Sequence, residues 1–265
     1  MSQLVPPVAT TVMPTLAETL FTVVTGVPML IVLGIAISHL PRRRGPLLLF
    51  CFVGGGLASL FEPVADILSC LYFPALGQHT AFETLGRPIP WALVFAYPWY
   101  VGGQGYLAYK LFAKRVSPPR IWQLWAVFAL TNVLVETPGV LTGFHIYYGN
   151  QPFNFWGFPL WQASVQSIMP MAAGALIYAV HARLGNGWRL VAVVPLVPMA
   201  DGLVNAGLAL PIWTTLGSDL PLAANYIGGL LTIGMAAVAV WVLTVVLGRT
   251  DQPTASQRSP EEIAA

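Results

Sequence analysis

Seven long apolar segments dominate this chain, and each is long enough to cross a lipid bilayer. A transmembrane helix needs about 20 consecutive, mostly apolar residues. The apolar segments cover residues 17–39, 46–73, 91–113, 121–146, 159–181, 190–211 and 222–248. Charged residues make up only 8% of the chain, compared with about 25% in a typical soluble domain. The sequence therefore predicts an all-α, polytopic membrane bundle of seven transmembrane helices.

The basic residues between these segments predict the orientation of the bundle, because Lys and Arg accumulate in cytoplasmic loops. Of the 12 Lys and Arg residues, all but one fall on the same side of the predicted spans. That side carries Arg42, Arg43, Arg44, Lys110, Lys114, Arg115, Arg120, Arg183, Arg189, Arg249 and Arg258. Arg87 falls on the opposite side. The sequence therefore predicts an N-out, C-in topology, and we expect the protein in the plasma membrane of a bacterium.

The same pattern predicts the domain organisation. We assign residues 1–249 to the transmembrane domain and the polar residues 250–265 to a disordered cytoplasmic tail. The first 41 residues contain no Lys or Arg, so the first apolar segment lacks the charged region of a signal peptide and is interpreted as a retained helix. A net charge of +2 does not favour a nucleic-acid partner. The lipid bilayer is the main predicted partner.

A run of three glycines, Gly54 to Gly56, lies within the second apolar segment. Small residues allow helix backbones to approach closely in membranes. A phosphate-binding loop would need a strand, a following helix and a lysine, which this segment does not offer. We therefore predict a close helix–helix contact at this run.

Three consecutive hairpins share one plan, which suggests an internal repeat. Each rises from the basic side, carries an acidic residue near mid-membrane, and returns in a helix that begins at a proline. The acids are Glu62, Glu136 and Asp201, and the returning helices begin at Pro90, Pro159 and Pro221. Proline is also a common first residue of helices in general, so coincidence is the alternative interpretation.

Four acidic residues lie inside the predicted spans: Glu62, Asp66, Glu136 and Asp201. An acid near the bilayer centre costs about 3 kcal/mol on insertion scales, and these spans offer no internal Lys or Arg as a partner. With a helical rise of about 1.5 Å per residue, their distances from the basic loops place them between the midplane and the outer half of the membrane. The pattern predicts one polar cavity that opens outward. Ordinary proline kinks, with the acids bonded to neighbouring helices, are the alternative.

These acids are candidates for proton transfer. A desolvated carboxyl without a cationic partner tends to keep its proton at neutral pH, and a positioned carboxyl acts as a general acid. Asp66 follows Glu62 by one helical turn on the same face, which favours Glu62 as the proton donor. Asp201 is the candidate acceptor of the final proton, and Glu136 is the candidate for binding a polar substrate group.

Aromatic and amide side chains at similar depth are predicted to bind the substrate. The electron-rich faces of aromatic rings stabilise a cation, and amides hydrogen-bond polar groups. The predicted substrate-binding residues are Tyr97, Trp99, Tyr100, Gln104, Asn132, Gln162, Gln166, Asn205, Asn225 and Tyr226. The Cys and His residues do not have the spacing of metal ligands, so we expect neither a metal nor another cofactor.

The segment ETPGVLTGFHIYYGNQPFNFWGFP resembles the membrane carotenoid hydratases, which protonate an isoprenoid double bond and add water. The matching positions are Glu136, Gly139, Thr142, Gly143, Tyr147, Tyr148, Gly149, Gly157 and Pro159. The overall plan is also similar to the small integral-membrane terpene cyclases of meroterpenoid pathways. Those proteins have seven helices, with one acid in an early helix and another in a late one, as Glu62 and Asp201 are placed here.

Both resemblances imply the same chemistry on a hydrophobic isoprenoid substrate. A carboxylic acid protonates an alkene or epoxide, and then a ring closes or water adds. The Asp-rich motifs of magnesium-dependent terpene synthases do not occur in this sequence, so the implied reaction is metal-free. We expect a terpene cyclase, with hydration as the first alternative.

Two other classes of membrane protein compete with this interpretation. Carboxyls on several spans and broken helices are also typical of a proton-coupled carrier of small molecules. A retinal photoreceptor would need a lysine in the seventh span, where this sequence has none. The carrier therefore remains the alternative of another class.

Overall fold

The structure is a computed structural model that describes residues 6–41 and 45–248. The basic residues Arg42, Arg43 and Arg44 lie outside the described residues, and so does the predicted disordered tail, 250–265. Within the described part, helices form most of the chain and short strands occur in the connections between them.

Eleven α-helices are present among the described residues. They are α1 (Thr15–His39), α2 (Leu47–Ala58), α3 (Glu62–Ser69), α4 (Trp91–Tyr97), α5 (Gln104–Ala113), α6 (Pro118–Thr142), α7 (Leu160–Gln166), α8 (Ile168–Leu184), α9 (Val193–Leu208), α10 (Leu210–Leu216) and α11 (Leu222–Leu247). Short 3-10 helices cover Val8–Thr10, Ser59–Phe61 and Trp188–Ala192, and a π-helical turn covers Pro98–Gly103.

Six helical segments of the described chain are long and apolar enough to cross a membrane. They are Thr15–His39, Leu47–Ser69, Pro118–Thr142, Leu160–Leu184, Trp188–Leu208 and Leu222–Leu247. The prediction of a mostly helical, multi-pass membrane protein is therefore confirmed. The remaining predicted span, 91–113, is helical but divided, because the π-helical turn Pro98–Gly103 separates α4 from α5.

Proline explains where the second span changes its helix type. A proline inside a helix has no N–H to donate, and its ring collides with the carbonyl four residues earlier. For Pro63 that carbonyl belongs to Ser59, the first residue of the 3-10 helix Ser59–Phe61 that separates α2 from α3. The break places Glu62 in the first turn of α3.

The returning helices begin where the sequence predicts. Pro90, Pro159 and Pro221 each immediately precede a helix, at the N-terminal ends of α4, α7 and α11. Their interiors differ, because α4 leads into the π-helical turn and α7 is separated from α8 at Ser167, whereas α11 is continuous. The three hairpins therefore share their starting points but not the form of the returning helix.

Close glycine contacts hold the second and third helical segments together. A β-carbon on Gly55 would lie 2.7 Å from the Tyr97 carbonyl oxygen and 2.8 Å from the Gly102 nitrogen. A β-carbon on Gly54 would lie 2.6 Å from the carbonyl oxygen of Val194 in α9. All three distances are too short for a side chain, so the predicted close helix contact at the glycine run is confirmed.

Burial separates inner from outer helices. In the most apolar part of Leu160–Leu184, 61% of the residues are buried, compared with 17% in Thr15–His39. The densest contacts join α5 to α8, α2 to α9, α2 to the π-helical turn and α8 to α9. The second, third, fifth and sixth helical segments therefore form the core, and α1 presents most of its surface to lipid.

Six short strands lie in the connections of this helical bundle, among the described residues. They are β1 (Leu71–Tyr72), β2 (Thr80–Thr84), β3 (Arg87–Pro90), β4 (Ile146–Tyr147), β5 (Asn154–Phe155) and β6 (Phe158–Pro159). β2 pairs with β3 and β5 with β6 as antiparallel hairpins, while β1 pairs with β4 across two different loops. The β1–β4 pair joins the end of α3 to the end of α6, and these helices carry Glu62, Asp66 and Glu136.

Candidate active site

A narrow cavity inside the helix bundle collects most of the predicted site residues. Its walls come from α3, α4, the π-helical turn, α6, α7 and α9. The predicted residues that line it are Glu62, Asp66, Glu136, Tyr97, Trp99, Tyr100, Gln162, Gln166 and Asn205. Ala65, Ser69, Leu71, Leu93, Ala96, Val135 and Met169 complete the wall. The space that the centre of a water molecule can occupy is about 50 Å³, which is room for a few water molecules.

Glu62 and Asp66 occupy one side of this cavity, one turn apart on α3. The Tyr97 hydroxyl donates a hydrogen bond to Glu62 Oε2. Asp66 is 1% exposed, and neither of its carboxyl oxygens has a hydrogen-bond partner among the described residues. A substrate group in the cavity would therefore meet two carboxyls with different hydrogen bonding.

Other buried polar atoms of the cavity wall also have no hydrogen-bond partner in the described structure. They include Trp99 Nε1, the Tyr100 hydroxyl and Gln162 Oε1. Buried polar groups in native proteins nearly always have a partner. This wall is therefore suited to a ligand that carries at least one polar group.

Glu136 of α6 also lines the cavity and lies beside His145, a residue that was not among the predicted site residues. His145 Nε2 is 3.0 Å from Glu136 Oε2, and His145 is 3% exposed. A second cavity, which shares several wall residues with the first, is lined by Glu62, Glu136 and His145. The sequence signal for this pair was the segment ETPGVLTGFH. In it, a helix that carries an acid ends at a glycine, and the histidine that follows can fold back beside the acid.

The end of α6 explains how His145 reaches Glu136. Gly143 takes a left-handed conformation with φ of 73°, and the Phe144 N–H donates to the Gly139 carbonyl at 2.9 Å. This C-terminal turn directs the chain back along the helix. A β-carbon on Gly139 would lie 2.7 Å from His145 Nδ1, so the absence of a side chain at Gly139 provides the space for the imidazole.

Asp201 is close to the cavity but does not line it. It is completely buried in α9, and Asn205 Nδ2 donates to Asp201 Oδ1 at 3.2 Å and contacts Met169 Sδ at 3.1 Å. Asn205 itself lines the cavity. Asn205 therefore links Asp201 to the wall of the cavity.

Two of the remaining predicted residues, Asn132 and Gln104, do not line the cavity themselves. Asn132 Nδ2 donates to Gln166 Oε1, so Asn132 supports a residue of the wall. Gln104 has a buried Oε1 without a partner among the described residues, but it does not line the cavity.

Asn225 and Tyr226 lie away from the site, which corrects the predicted substrate contact of both residues. Asn225 Nδ2 donates to the Asn150 carbonyl at 2.9 Å, which fastens the loop between β4 and β5 to α11. Tyr226 is 42% exposed and stands edge-on to Phe153, with 5.2 Å between the ring centres. The predicted depth did not determine which way these side chains face.

Arg87 supplies a positive charge that sequence reasoning assigned only to the outer surface. It is 7% exposed, its Nη2 donates to the Tyr148 hydroxyl at 3.0 Å, and it is close enough to Asp66 for their charges to attract. Burial raises the pKa of the Tyr148 phenol, so Tyr148 is a neutral acceptor for this bond. Arg87 therefore places a buried cation near the Asp66 side of the site.

Comparison with protein-family models, with curated proteins and with solved structures found no match for this chain. Among residues 6–41 and 45–248, no group of three or more His, Cys, Asp or Glu side chains is arranged to hold a metal ion. The site is therefore interpreted from the chemistry of its own side chains.

Proposed function

We propose that this protein is a membrane-embedded acid catalyst that protonates an alkene or epoxide of an isoprenoid and directs its cyclisation. The observation that carries the proposal is the convergence of three carboxyls and three aromatic side chains on one cavity inside an apolar bundle. Acid-initiated cyclisation needs a proton donor, a surface that stabilises a cation, and protection from bulk water. The cavity has groups suited to each of these tasks.

The proposed reaction begins with Glu62. Its carboxyl proton moves to an alkene carbon or epoxide oxygen, and Glu62 becomes a carboxylate while the substrate becomes a cation. The rings of Tyr97, Trp99 and Tyr100 stabilise the positive charge through their faces. A second double bond of the substrate attacks the cationic carbon. The Glu62 carboxylate then takes a proton from the carbon beside the new cationic centre, which gives a neutral cyclic product and restores the acid.

Hydration is the second candidate, and the Glu136–His145 pair favours it. A carboxylate paired with an imidazole is suited to take a proton from water as the water adds to a cation. Cyclisation and hydration share the first proton transfer, so both assign Glu62 the same role. They differ in the nucleophile that meets the cation.

Membranes containing the protein provide the direct test. We expect farnesol, geranylgeraniol or their terminal epoxides to be converted to a cyclic isomer of unchanged mass, as measured by mass spectrometry. A product heavier by one water indicates hydration instead. Conversion must be lost in the triple variant Glu62→Gln, Glu136→Gln, Asp201→Asn. Normal conversion in that variant would reject acid catalysis, and uptake of an unchanged probe into vesicles would indicate a carrier.

We further infer seven transmembrane spans with the N-terminus outside and the C-terminus inside, in a bacterial plasma membrane. The divided segment of α4, the π-helical turn and α5 supplies the seventh span in addition to the six apolar segments. The inference is supported by the basic residues of the sequence, which fall almost entirely on one side of such a bundle.

Cysteine labelling tests this topology. A membrane-impermeant maleimide should label Thr84→Cys in intact cells, whereas Ala255→Cys should react only after the membrane is opened. The native cysteines, Cys51 and Cys70, are buried, so the unaltered protein is the control for background labelling. Labelling of Ala255→Cys from outside would contradict an odd number of spans.

A further inference from the structure

The two cavities differ in the chemistry of their walls. They share several wall residues, among them Glu62, Val135 and Glu136. Most residues that line only the first cavity carry polar atoms, whereas those that line only the second are mainly apolar or aromatic. The residues of the second cavity alone are Phe21, Thr25, Phe73, Ala92, Phe144 and His145. The walls therefore suit a ligand with a polar end beside the carboxyls and an apolar chain beyond them.

Both cavities are too small in this structure for an isoprenoid chain. The centre of a water molecule can occupy about 50 Å³ in the first cavity and about 30 Å³ in the second. One water molecule needs about 10–15 Å³ of such space, so each cavity has room for only a few. An isoprenoid is much larger than this, and part of the wall must move before it can bind.

The second cavity lies where two groups of packed apolar side chains meet. Among the described residues, a small cluster is separate from the main core. Its buried members are Met13, Ala17, Phe21, Phe73, Ile89, Ala92 and Phe144. Leu93 packs against both clusters, and Val135 of α6 packs against the small one. Separation of two clusters breaks fewer contacts than the opening of one continuous core, so the wall can yield here.

The helix α1 covers the second cavity and is loosely packed. In its most apolar part only 17% of the residues are buried, the lowest share of the six apolar segments, and it makes few direct contacts with α6. Its Phe21 ring stacks on Phe144 with 4.4 Å between the ring centres. The Thr25 hydroxyl donates to the Phe21 carbonyl at 2.8 Å, so this donor is already used within α1. Movement of α1 away from α6 would therefore separate apolar rings and leave the Thr25 hydrogen bond intact.

The Ser69 side of the first cavity is held by hydrogen bonds instead. Trp213 Nε1 donates to Ser69 Oγ at 2.9 Å, and Gln151 Nε2 donates to the Ser69 carbonyl at 2.8 Å. Trp161 Nε1 donates to Gln151 Oε1 at 3.2 Å. All four residues are buried, so an opening on this side would leave polar atoms without partners, which is costly. The α1 side is the favoured point of entry.

We propose that the second cavity binds the hydrocarbon chain of the substrate, which enters it from the bilayer between α1 and α6. The chain separates Phe21 from Phe144 and takes the space between the two apolar clusters, while the reacting group lies beside Glu62 in the first cavity. The chemical class of this ligand rests on the proposed function. Binding of the chain does not require the proton transfer.

Photolabelling measures occupation of this subsite directly. The probe is a farnesol analogue with a diazirine at the apolar end of its chain, added to membranes that contain the protein. We expect adducts on Ala92 and Phe144, each 1% exposed, as located by mass spectrometry of peptides. An excess of farnesol should abolish these adducts. Adducts on Leu203, which is 68% exposed, should persist, because they report probe in the surrounding lipid.

Two variants narrow the subsite from opposite sides. Thr25→Leu and Ala96→Leu add bulk to the wall of the second cavity, so each should lower the Phe144 adduct by about 10-fold or more. Thr19→Leu is the control for the first, because Thr19 is exposed on α1 and its hydroxyl also bonds the carbonyl four residues earlier. Ala126→Leu, at an exposed position of α6, is the control for the second. Both controls should retain the wild-type adduct.

Two further variants test the route of entry. Phe21→Ala removes the ring that covers Phe144, so the Phe144 adduct should form sooner after the probe is added. Trp213→Phe removes the hydrogen bond to Ser69 and should label at the wild-type rate. Faster labelling in Trp213→Phe, with no change in Phe21→Ala, would place the entrance on the Ser69 side and overturn the proposed route.

The outcome for the subsite is separate from that for acid catalysis, because photolabelling does not need turnover. Adducts on Ala92 and Phe144 without conversion of farnesol would support the subsite and count against the proposed reaction. Adducts on Leu203 alone would overturn the subsite. A Phe144 adduct that neither Thr25→Leu nor Ala96→Leu lowers would overturn it as well.

Discussion

Glu62→Gln is expected to lower turnover by about 100-fold to 10,000-fold, the usual contribution of a general acid, while the protein remains folded. The amide has nearly the same shape as the carboxyl but cannot release a proton to an alkene. Its side-chain oxygen can still accept the hydrogen bond that Tyr97 donates to Glu62 Oε2. The packing of α3 against α4 is therefore preserved while the acid is lost.

The measurement compares initial rates for the probe that the wild-type protein converts. Glu83→Gln is a matched control, because Glu83 is an exposed acid of strand β2 outside the cavity. It should retain the wild-type rate. A rate for Glu62→Gln within a few-fold of wild type would show that another group supplies the proton.

Local features of the sequence predicted the helices well. The segments predicted at 17–39 and 222–248 correspond to Thr15–His39 and Leu222–Leu247. The length of an apolar segment and the position of a proline are properties of a short stretch of chain. The spans, and the helices that begin after Pro90, Pro159 and Pro221, could therefore be predicted from the sequence. The close contact at Gly54 to Gly56 was predictable in the same way, since the absence of side chains in a short run allows another helix to approach.

The direction in which a side chain faces was much less predictable. Counting residues from the basic loops estimates depth, but successive helical residues turn by about 100°. Asn205 and Asn225 were both predicted to bind substrate, yet Asn205 lines the cavity and Asn225 fastens the loop between β4 and β5. The 3-10 helix before Glu62 and the π-helical turn after Tyr97 also change the direction in which the side chains that follow them point.

Contacts between distant parts of the chain were missed for a different reason. The Glu136–His145 pair depends on the left-handed turn at Gly143 and on the space above Gly139. The β1–β4 pairing depends on two loops that are far apart in sequence. The segment ETPGVLTGFH contains the residues of the first feature, but the packing of the helices sets where the imidazole and the paired loops lie.

Gly102→Ala is expected to destabilise the folded protein, although it adds only one methyl group. A β-carbon on Gly102 would collide with the backbone of α2, at the carbonyl of Cys51 and 3.2 Å from the Phe52 α-carbon. Backbone atoms cannot move aside as a flexible side chain can. Overpacking of this kind costs about 1–3 kcal/mol, so the two helical segments must separate or the helix must distort.

Gly103→Ala is the matched control for this change. An alanine at either position gains about 1 kcal/mol of helix propensity over glycine, so the comparison isolates the packing contact. A β-carbon on Gly103 would lie 3.5 Å from Val32 Cγ1 of α1, which is an ordinary contact. Gly103→Ala should therefore be neutral or slightly stabilising.

Thermal unfolding in detergent should separate the two variants. At about 2–4 °C per kcal/mol for a protein of this size, an overpacking cost of about 1–3 kcal/mol should lower the unfolding temperature of Gly102→Ala by about 2–12 °C relative to Gly103→Ala. Its turnover should also fall below that of Gly103→Ala at a temperature where both are folded, because the same contact sets the distance between Glu62 on α3 and Tyr97 on α4. Equal unfolding temperatures would show that the α2 backbone does not press against the π-helical turn, and that the geometry of the acid and its tyrosine has another origin.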